Sequence, residues 1–438
     1  MTVFGLKEAE VATLVRAVLP DEAAESSPDR EGIEAAFARA TWSGIAEPGD
    51  GVAGALVASI GPARSLAALI EKQPADRLAS DAGLESSAVS AGLDRWMSRV
   101  ASASALLSLR QAGRFGARLR TPQVGWHPPL DDLGVHAPIA LWSRGSDAAF
   151  HAAAHSIALV GARAATGYGE HVAMESSAGL VDRGFAIVSG AAYGIDGMAH
   201  RAALASNGHT IAFLAGGVDR FYPSGHDALL TRIVADGCVV SELPCGSAPT
   251  KWRFLQRNRL IAAASLATVV LEAGWRSGSL NTAHHAAELG RPLGAVPGPV
   301  TSPASAGCHR LLRESPAVCV TNADEMEALA GQDGSVAVAD ARAAGGPAEP
   351  KPELGAAAAV ARSTSGRSAA PPVGGRNHDP AMVRVLDALS VRAPREVSEL
   401  ARRSGLSSAS AGSALARLEL DGVARETERG WQRNARRA

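Results

Sequence analysis

Cysteine is rare in this sequence, and the few cysteines are widely spaced. Cys238, Cys245, Cys308 and Cys319 are the only four in 438 residues. They lack the close pairing of zinc sites, and they are too few for a disulfide scaffold. The sequence therefore predicts reduced cysteines that serve in packing, and it offers no metal site and no cofactor site.

Long apolar runs are also missing. The N-terminal segment MTVFGLKEAEVATLVRAVLPDEAAE mixes acids into its apolar positions, so it lacks the continuous apolar core of a secretion signal. No later segment approaches the roughly 20 apolar residues that a membrane-spanning helix requires. We therefore predict a cytoplasmic protein with no membrane partner.

An excess of one charge is absent too, because 43 Lys and Arg residues nearly cancel 44 Asp and Glu residues. Any attraction to a nucleic acid must then come from the local placement of charge. Aromatic residues make up only 4% of the sequence, whereas alanine is abundant, which is typical of helices packed closely on sheets. A length of 438 residues predicts two or three domains.

Residues 1–110 show helical periodicity throughout, with Val11, Val15 and Val18 on one face of the first helix. They predict an all-α N-terminal domain, and residues 111–155 are interpreted as a connecting segment.

Within that domain, residues 43–69 place two helical stretches around the break Ile60-Gly61-Pro62. The pattern is typical of helix-hairpin-helix or SAM-like modules, in which a glycine turn presents backbone N–H groups to a phosphate. An ordinary turn between helices accounts for the same residues, so both interpretations stay open.

Residues 156–330 alternate short apolar runs, rich in β-branched residues, with longer helical segments. This alternation predicts an α/β domain with a Rossmann-like parallel sheet flanked by helices. In such sheets, ligands bind beyond the carboxyl ends of the strands. The predicted strands are Ile157–Val160, Ala186–Ser189, Thr210–Ala215, Val239–Glu242, Thr268–Leu271, Leu293–Val296 and Val318–Val320.

Residues 331–378 lose this periodicity and consist largely of Ala, Gly, Pro and Ser, which predicts a disordered linker. Three helical segments and two short strands at 379–438 then predict a winged-helix domain. Its third helix, Ala409–Leu420, has Arg417 as its only cation, which is little for reading DNA bases. Contact with DNA and contact with protein are equally open functions for this domain.

The peptide KWRFLQRNR at 251–259 holds four cations and two aromatics but no acid. Cations neutralise phosphates, while Trp252 and Phe254 offer flat faces on which unpaired bases stack. A single-stranded nucleic acid meets both requirements. The alternative for such a peptide is an exposed basic loop whose aromatics fold back into a core.

Three loops that follow predicted strands have the composition of anion sites. Glycines let the backbone approach a phosphate, helix N-termini favour negative charge, and arginine adds a two-pronged donor. None of these loops has the dinucleotide fingerprint or the Walker lysine. We expect the three loops and the basic peptide to meet at one edge of the sheet. The loops contain Gly161 and Arg163, then Ser189 and Gly190, then Ser277 and Gly278.

Asp196 and His200 are four residues apart on a predicted helix, so they share one face. Such a pair is suited to acid–base catalysis or to metal binding. The structural interpretation, in which Asp196 accepts from helix N-terminal amides and His200 packs beneath it, is favoured because no third ligand has a convincing spacing.

The order and spacing of these motifs resemble the DprA/Smf family of DNA-processing proteins. The helical N-terminus and the C-terminal winged helix resemble accessory domains of that family, so the likeness covers most of the chain. The motifs are VGAR at 160–163, SG at 189–190 with GID at 194–196 and AH at 199–200, Phe254 with RNR at 257–259, EA at 272–273, SGSL at 277–280 with Thr282, and GR at 290–291 through AVPG at 295–298.

The resemblance implies a non-catalytic protein that binds and protects single-stranded DNA, usually as a homodimer, and helps to load the RecA recombinase in natural transformation. It implies phosphate or backbone contacts for Arg163, Arg257 and Arg259, base stacking for Phe254, and an ordering role for Asn258. It implies backbone amides from Gly161, Gly190, Ser277 and Gly278. The full implied DNA-binding set is Gly161, Arg163, Ser189, Gly190, Lys251, Phe254, Arg257, Asn258, Arg259, Ser277, Gly278 and Thr282.

Two positions depart from the family pattern. Tyr193 stands where many members have arginine, which removes a cation but leaves a ring that is able to stack. Leu255 stands where proline is common, which removes backbone stiffness that would help to orient Phe254.

An alternative function is that of a nucleotide phosphoribohydrolase, because the lysine-decarboxylase-like enzymes have a similar sheet and similar anion loops. Those enzymes carry a Pro-Gly-Gly-x-Gly-Thr loop followed by a glutamate. Residues 275–282 lack the paired glycines and the acid. A sequence-specific regulator acting through the winged helix is a third possibility, which the weakly basic third helix disfavours.

Overall fold

The computed structural model of the protein describes residues 2–21, 28–331 and 379–434. Except for Gly331, the linker predicted at 331–378 lies outside the described residues, as do the last four residues of the chain. The described residues form an N-terminal helical region, a central sheet with its helices, and a C-terminal three-helix unit with a wing.

The N-terminal region begins with a short antiparallel hairpin, which the prediction of helices alone did not include. Its elements are β1 (Thr2–Val3), β2 (Leu6–Lys7), α1 (Glu8–Arg16), α2 (Arg30–Ile45), α3 (Gly51–Ile60), α4 (Pro62–Ile70), α5 (Ala75–Ala82), α6 (Ser86–Trp96) and α7 (Ser102–Phe115). Strands of two residues are too short to produce a periodicity in the sequence. The break predicted at Gly61 is present, and α3 and α4 meet there at 111°.

None of the described helices is by itself long and apolar enough to cross a membrane. The pair α3 and α4 reaches the necessary length and composition only when both helices are counted together across their bend.

A nine-stranded sheet lies at the centre of the molecule. Its strands are β3 (Arg118–Arg120), β4 (Leu141–Gly145), β5 (Ser156–Gly161), β6 (Ala186–Ser189), β7 (Thr210–Phe213), β8 (Cys238–Ser241), β9 (Ala267–Glu272), β10 (Leu293–Ala295) and β11 (Ala317–Cys319). The spatial order is β11-β10-β9-β5-β6-β7-β8-β4-β3. Strands β5 to β11 are parallel, which confirms the predicted Rossmann-like α/β fold.

The segment interpreted as a connection at 111–155 also contributes to the sheet. Strand β4 pairs antiparallel with β8, and β3 pairs antiparallel with β4. Strand β3 has three residues and β4 has five. Both lie outside the alternation of strands and helices from which the other strands were predicted.

Helices cover both faces of the sheet, and the alternation of side chains along β5 shows how. Ile157 and Leu159 pack on the face covered by α9 and α10, whereas Ala158 and Val160 pack on the face covered by α12 and α13. The helices are α8 (Asp147–His151), α9 (Gly167–Asp182), α10 (Ile195–Ala205), α11 (Asp227–Asp236), α12 (Lys251–Ala264), α13 (Ser279–Glu288), α14 (Ala306–Glu314) and α15 (Ala323–Ala330).

The N-terminal helices share one apolar core with the β4 side of the sheet. Trp42 and Trp96 are buried edge to face at 5.3 Å between ring centroids. The same core includes Trp142 of β4, whose indole Nε1 donates to Ser43 Oγ at 3.1 Å. The helical region is therefore packed directly on the sheet.

The C-terminal residues form the predicted winged helix. Its elements are α16 (Pro380–Ala388), α17 (Val397–Ser404), α18 (Ser408–Leu420), β12 (Ala424–Thr427) and β13 (Gly430–Arg433). Val385, Leu400, Leu415 and Trp431 are buried in its small core. The wing pairs antiparallel, as the short β segments predicted.

Candidate nucleic-acid interface

A cleft of about 860 Å³ opens beyond the carboxyl ends of β5 and β9. These two strands are neighbours at the point where the strand order reverses, so the loops that follow them separate and leave a crevice. Three of the predicted DNA-binding residues, Ser189, Gly190 and Arg259, do not line this cleft. The nine that do are Gly161, Arg163, Lys251, Phe254, Arg257, Asn258, Ser277, Gly278 and Thr282.

The basic peptide 251–259 is the first part of α12, and not a loop. Thr250 caps this helix by accepting from the backbone N–H of Arg253 at 3.3 Å. Helical spacing then places Lys251, Phe254 and Asn258 on the side that faces the cleft. The helix therefore divides the basic residues of the peptide between two surfaces.

The ring of Phe254 lies close to two guanidinium groups. Its centroid is 5.2 Å from Arg163 Cζ and 5.7 Å from Arg257 Cζ, distances typical of cation–π contacts. The Tyr222 ring is 5.4 Å away, and Trp275 is exposed on the opposite wall. Neither aromatic was predicted from the sequence to bind DNA, although Trp275 lies in one of the three anion loops.

Arg257 is buried at the base of the cleft. Its Nη1 donates to the carbonyl oxygen of Phe213 at 2.7 Å, and a Cβ on Gly190 would overlap the guanidinium. Burial lowers the pKa of Arg257 to about 10, and the nearby Asp196 carboxylate opposes that decrease. The guanidinium is therefore charged at neutral pH.

Asp196 is an internal anion in the same place. Its carboxylate accepts from the backbone N–H of Ala192 at 3.3 Å. Burial raises the pKa of Asp196, and the Arg257 guanidinium and the nearby backbone amides of Gly161 and Gly190 oppose that increase. Gly190 also provides the space that Arg257 occupies, a role that the sequence did not indicate.

Two further residues predicted to bind DNA, Ser189 and Arg259, are buried and have partners inside the protein. Ser189 is fully buried, and its Oγ donates to Leu159 O at 2.6 Å. Arg259 is buried too, and its Nη2 donates to both carboxylate oxygens of Glu242 at 2.8 and 2.7 Å. Because this ion pair lies outside the cleft, the structure does not bring Arg259 together with the predicted residues that line it.

The loop after β9 is held by α12. Asn258 Nδ2 donates to Asn281 Oδ1 at 3.2 Å and lies 3.5 Å from Gly278 O. Gly278 is the N-cap of α13, and the Ser277 Oγ that precedes it accepts from the backbone N–H of Ser279 at 3.4 Å. Thr282 is buried one turn later.

His200 and Asp196 both have partners inside the protein, although Asp196 accepts from Ala192, which precedes α10, and not from the first amides of that helix as the structural interpretation expected. His200 is fully buried and its Nδ1 is 2.7 Å from Thr210 Oγ1. Burial lowers the pKa of His200 to about 3, so the ring is neutral. Among the described residues, no group of three or more His, Cys, Asp or Glu side chains could hold a metal ion.

Cations outnumber acids around the cleft. Arg163, Lys251 and Arg276 are exposed and form no ion pair with any residue of the described ranges, and Arg257 adds a buried charge. Two acids line the cleft. Asp196 is buried, whereas Asp387 is exposed and comes from the winged helix. Asp387 was not predicted from the sequence. The surface is suited to a polyanion.

Fold and cleft together define a Rossmann-like α/β protein with a cationic cleft at the strand-order reversal and an appended winged helix. The family model of DNA recombination-mediator protein A matches residues 123–330, and that of the DprA winged helix domain matches 368–428. The chain is 41% identical over 408 residues to a putative DNA processing protein DprA of Mycobacterium tuberculosis H37Rv, across 91% of this chain and 94% of that protein. The chain therefore belongs to the DprA/Smf family, as its motifs predicted.

Two other relatives agree with this assignment. Protein Smf of Escherichia coli K12 is 40% identical over 202 residues, across 46% of this chain and 53% of that protein. The X-ray structure of DprA from Streptococcus pneumoniae aligns with a TM-score of 0.53 at 29% identity, and covers 66% of this chain and 95% of that one.

Replacing Arg259 tests its structural role. Arg259→Met retains much of the side-chain volume but leaves the Glu242 carboxylate buried without its partner, so we expect a loss of about 3–5 kcal/mol of unfolding free energy. Chemical denaturation measures this loss. Arg163→Ala is the matched control, because its exposed side chain has no ion pair in the described structure. An Arg259→Met protein as stable as the wild type would contradict this role.

The burial of His200 predicts a pH dependence of stability. Its pKa is about 3 in the folded protein against 6.5 for an ordinary histidine, so between these values only the unfolded chain binds the proton. The stability contributed by His200 is complete above pH 6.5 and is lost as the pH falls toward 3.

His200→Asn should therefore reduce the slope of unfolding free energy against pH, measured from pH 6.5 to about pH 5, by up to about 1.4 kcal/mol per pH unit. His171→Asn, at an exposed histidine, is the control. If His200→Asn and the wild type had equal slopes of unfolding free energy against pH, folding would not be preventing the protonation of His200.

Proposed function

We propose that this protein binds single-stranded DNA in the cleft. The observation that supports this most directly is the Phe254 ring lying beside the Arg163 and Arg257 guanidinium groups at the strand-order reversal. An unpaired base is able to stack on such a ring while its phosphates meet the cations. In a duplex the base faces are already stacked inside, so the ring has no partner without base flipping.

Each wall of the cleft has its own part in this proposal. Arg163 and Lys251 are exposed cations on two different walls, and they suit successive phosphates of one strand. The N-terminus of α13 at Gly278 adds the positive end of a helix dipole. Arg257 adds a buried charge at the base of the cleft, where its hydrogen bond to Phe213 O holds the guanidinium in place.

The biological role that we propose follows from family membership. Relatives that cover most of this chain bear the name DNA processing protein. On that basis the protein protects incoming single-stranded DNA and helps to load RecA in natural transformation and recombination, and it acts as a homodimer in the cytoplasm.

We further propose that the protein acts by binding and not by catalysis. The two residues best placed for acid–base chemistry are Asp196 and His200, and both already have internal partners. A neutral histidine beneath the helix and a carboxylate surrounded by amides do not supply a free proton-transfer pair to the cleft.

Incubation with nucleoside monophosphates tests the enzymatic alternative. We expect no release of free base above the rate without protein, as measured by chromatography. Turnover that stops in Asp196→Asn but continues in Arg232→Ala, an exposed position on α11, would support a phosphoribohydrolase instead.

Two substitutions distinguish phosphate contact from base stacking. Wild-type affinity for oligothymidine should fall with salt at a log–log slope of roughly −2 to −3.5, for three to five phosphate contacts. Arg163→Ala should weaken binding and make that slope shallower by about 0.7. Phe254→Leu should weaken binding by about 1–3 kcal/mol with the slope unchanged, because stacking releases no counterions.

Fluorescence anisotropy across a salt series, on single-stranded and duplex oligonucleotides, measures these effects. Arg232→Ala is the control for loss of a distant charge. Normal binding by both cleft variants, or a preference for duplex, would place the DNA site elsewhere.

A further inference from the structure

A second cavity of about 620 Å³ lies where the N-terminal region, α12 and the winged helix meet. The residues on its walls come from all three parts of the chain. Seven arginines line it, against the two acids Glu47 and Asp387. The arginines are Arg99, Arg220, Arg253, Arg384, Arg395, Arg402 and Arg403.

This interdomain cavity adjoins the DNA cleft. Pro249, Thr250 and Asp387 line both spaces, so the N-terminus of α12 is their common border. Asp387 Oδ2 accepts there from the backbone N–H groups of Lys251 at 2.6 Å and Trp252 at 3.4 Å. This contact holds the winged helix at the border, and it shows that the helix end is a position for an anion.

The positive charge of the cavity is only partly neutralised. Glu47 accepts from Arg99 at 2.6 Å and from Arg253 at 2.7 Å, and it also lies close to Arg384. Burial alone would raise the pKa of Glu47, but Arg253 and Arg99 hold it well below its ordinary value. One carboxylate thus serves three guanidinium groups.

The remaining arginines have few acidic partners. Arg395 and Arg403 share Glu399, at 3.6 and 2.7 Å. The side chains of Arg220 and Arg402 are exposed and form no ion pair within the described parts of the chain. Seven cations therefore face three acids, counting Glu399. The two exposed arginines that form no ion pair within the described residues come from different domains.

Such a cavity is suited to phosphate groups, because arginine presents a planar pair of donors that matches phosphate oxygens. Since it continues from the cleft across Thr250, the simplest source of those phosphates is the strand that already occupies the cleft. We propose that the single strand bound in the cleft continues past Thr250 into the interdomain cavity, where Arg220 and Arg402 contact its backbone. This inference rests on the proposed function and extends it to all three domains.

The test compares two oligothymidines on the full-length protein, one of about 6 and one of about 20 nucleotides, which bracket ordinary single-strand site sizes. The double variant Arg220→Ala/Arg402→Ala should bind the short oligonucleotide like the wild type. It should bind the long one about tenfold more weakly, with a salt slope shallower by about 1.4, for two lost phosphate contacts. Fluorescence anisotropy measures both.

The matched control is Arg77→Ala/Arg232→Ala, which removes two exposed arginines that line neither space. We expect it to bind both oligonucleotides like the wild type. Equal weakening by the control and the test variant would mean that only overall charge matters, and it would overturn the inference.

Other outcomes separate this inference from the proposed function. If the test variant binds the long oligonucleotide normally while the wild type binds both, the cavity does not hold the strand and the cleft still does. If the wild type binds neither, both ideas fail. Competition by millimolar thymidine monophosphate that depends on Arg220 and Arg402 would make the cavity a site for free nucleotides and would also overturn the inference.

Discussion

The buried guanidinium of Arg257 is the constraint on which the geometry of the cleft depends. It requires a carbonyl acceptor from Phe213, the nearby charge of Asp196 and a glycine at position 190. Asp196 in turn accepts from the Ala192 amide and lies near the Gly161 amide, so the loops after β5 and β6 surround a charge that the protein itself supplies. A cation held in this way keeps its position before any ligand arrives, which reduces the reorganisation that binding requires.

A single helix accounts for two properties of the molecule. On one side of α12, Lys251 and Phe254 face the cleft, while Arg253 pairs with Glu47 of the N-terminal region. Arg259 pairs with Glu242 beyond β8. The same short peptide thus supplies a ligand surface and connects neighbouring units, because helical spacing separates residues that are adjacent in sequence.

Much of the fold followed from the sequence, because parallel strands buried on both faces form apolar runs that helices regularly interrupt. Strands β3 and β4 were missed, since short antiparallel strands outside that alternation give no such signal. The site was predicted in position but not in detail. Arg259 and Ser189 looked available because their partners, Glu242 and Leu159, are distant in sequence, and only the tertiary structure brings them together. Asp387 was missed for the same reason, since it reaches the cleft from another domain.

The indole of Trp142 and the strands around it have a consequence for how this protein can be divided. Strand β4 covers the edge of β8, and its tryptophan is buried in the core that the first helices provide. A fragment beginning at Ser156 would leave the backbone groups of β8 open and expose the apolar side chains that now contact those helices. Such an edge is a template for pairing with other chains. Because the helical region and the sheet share one apolar core, we expect a cut at the boundary drawn from sequence periodicity to destabilise both parts.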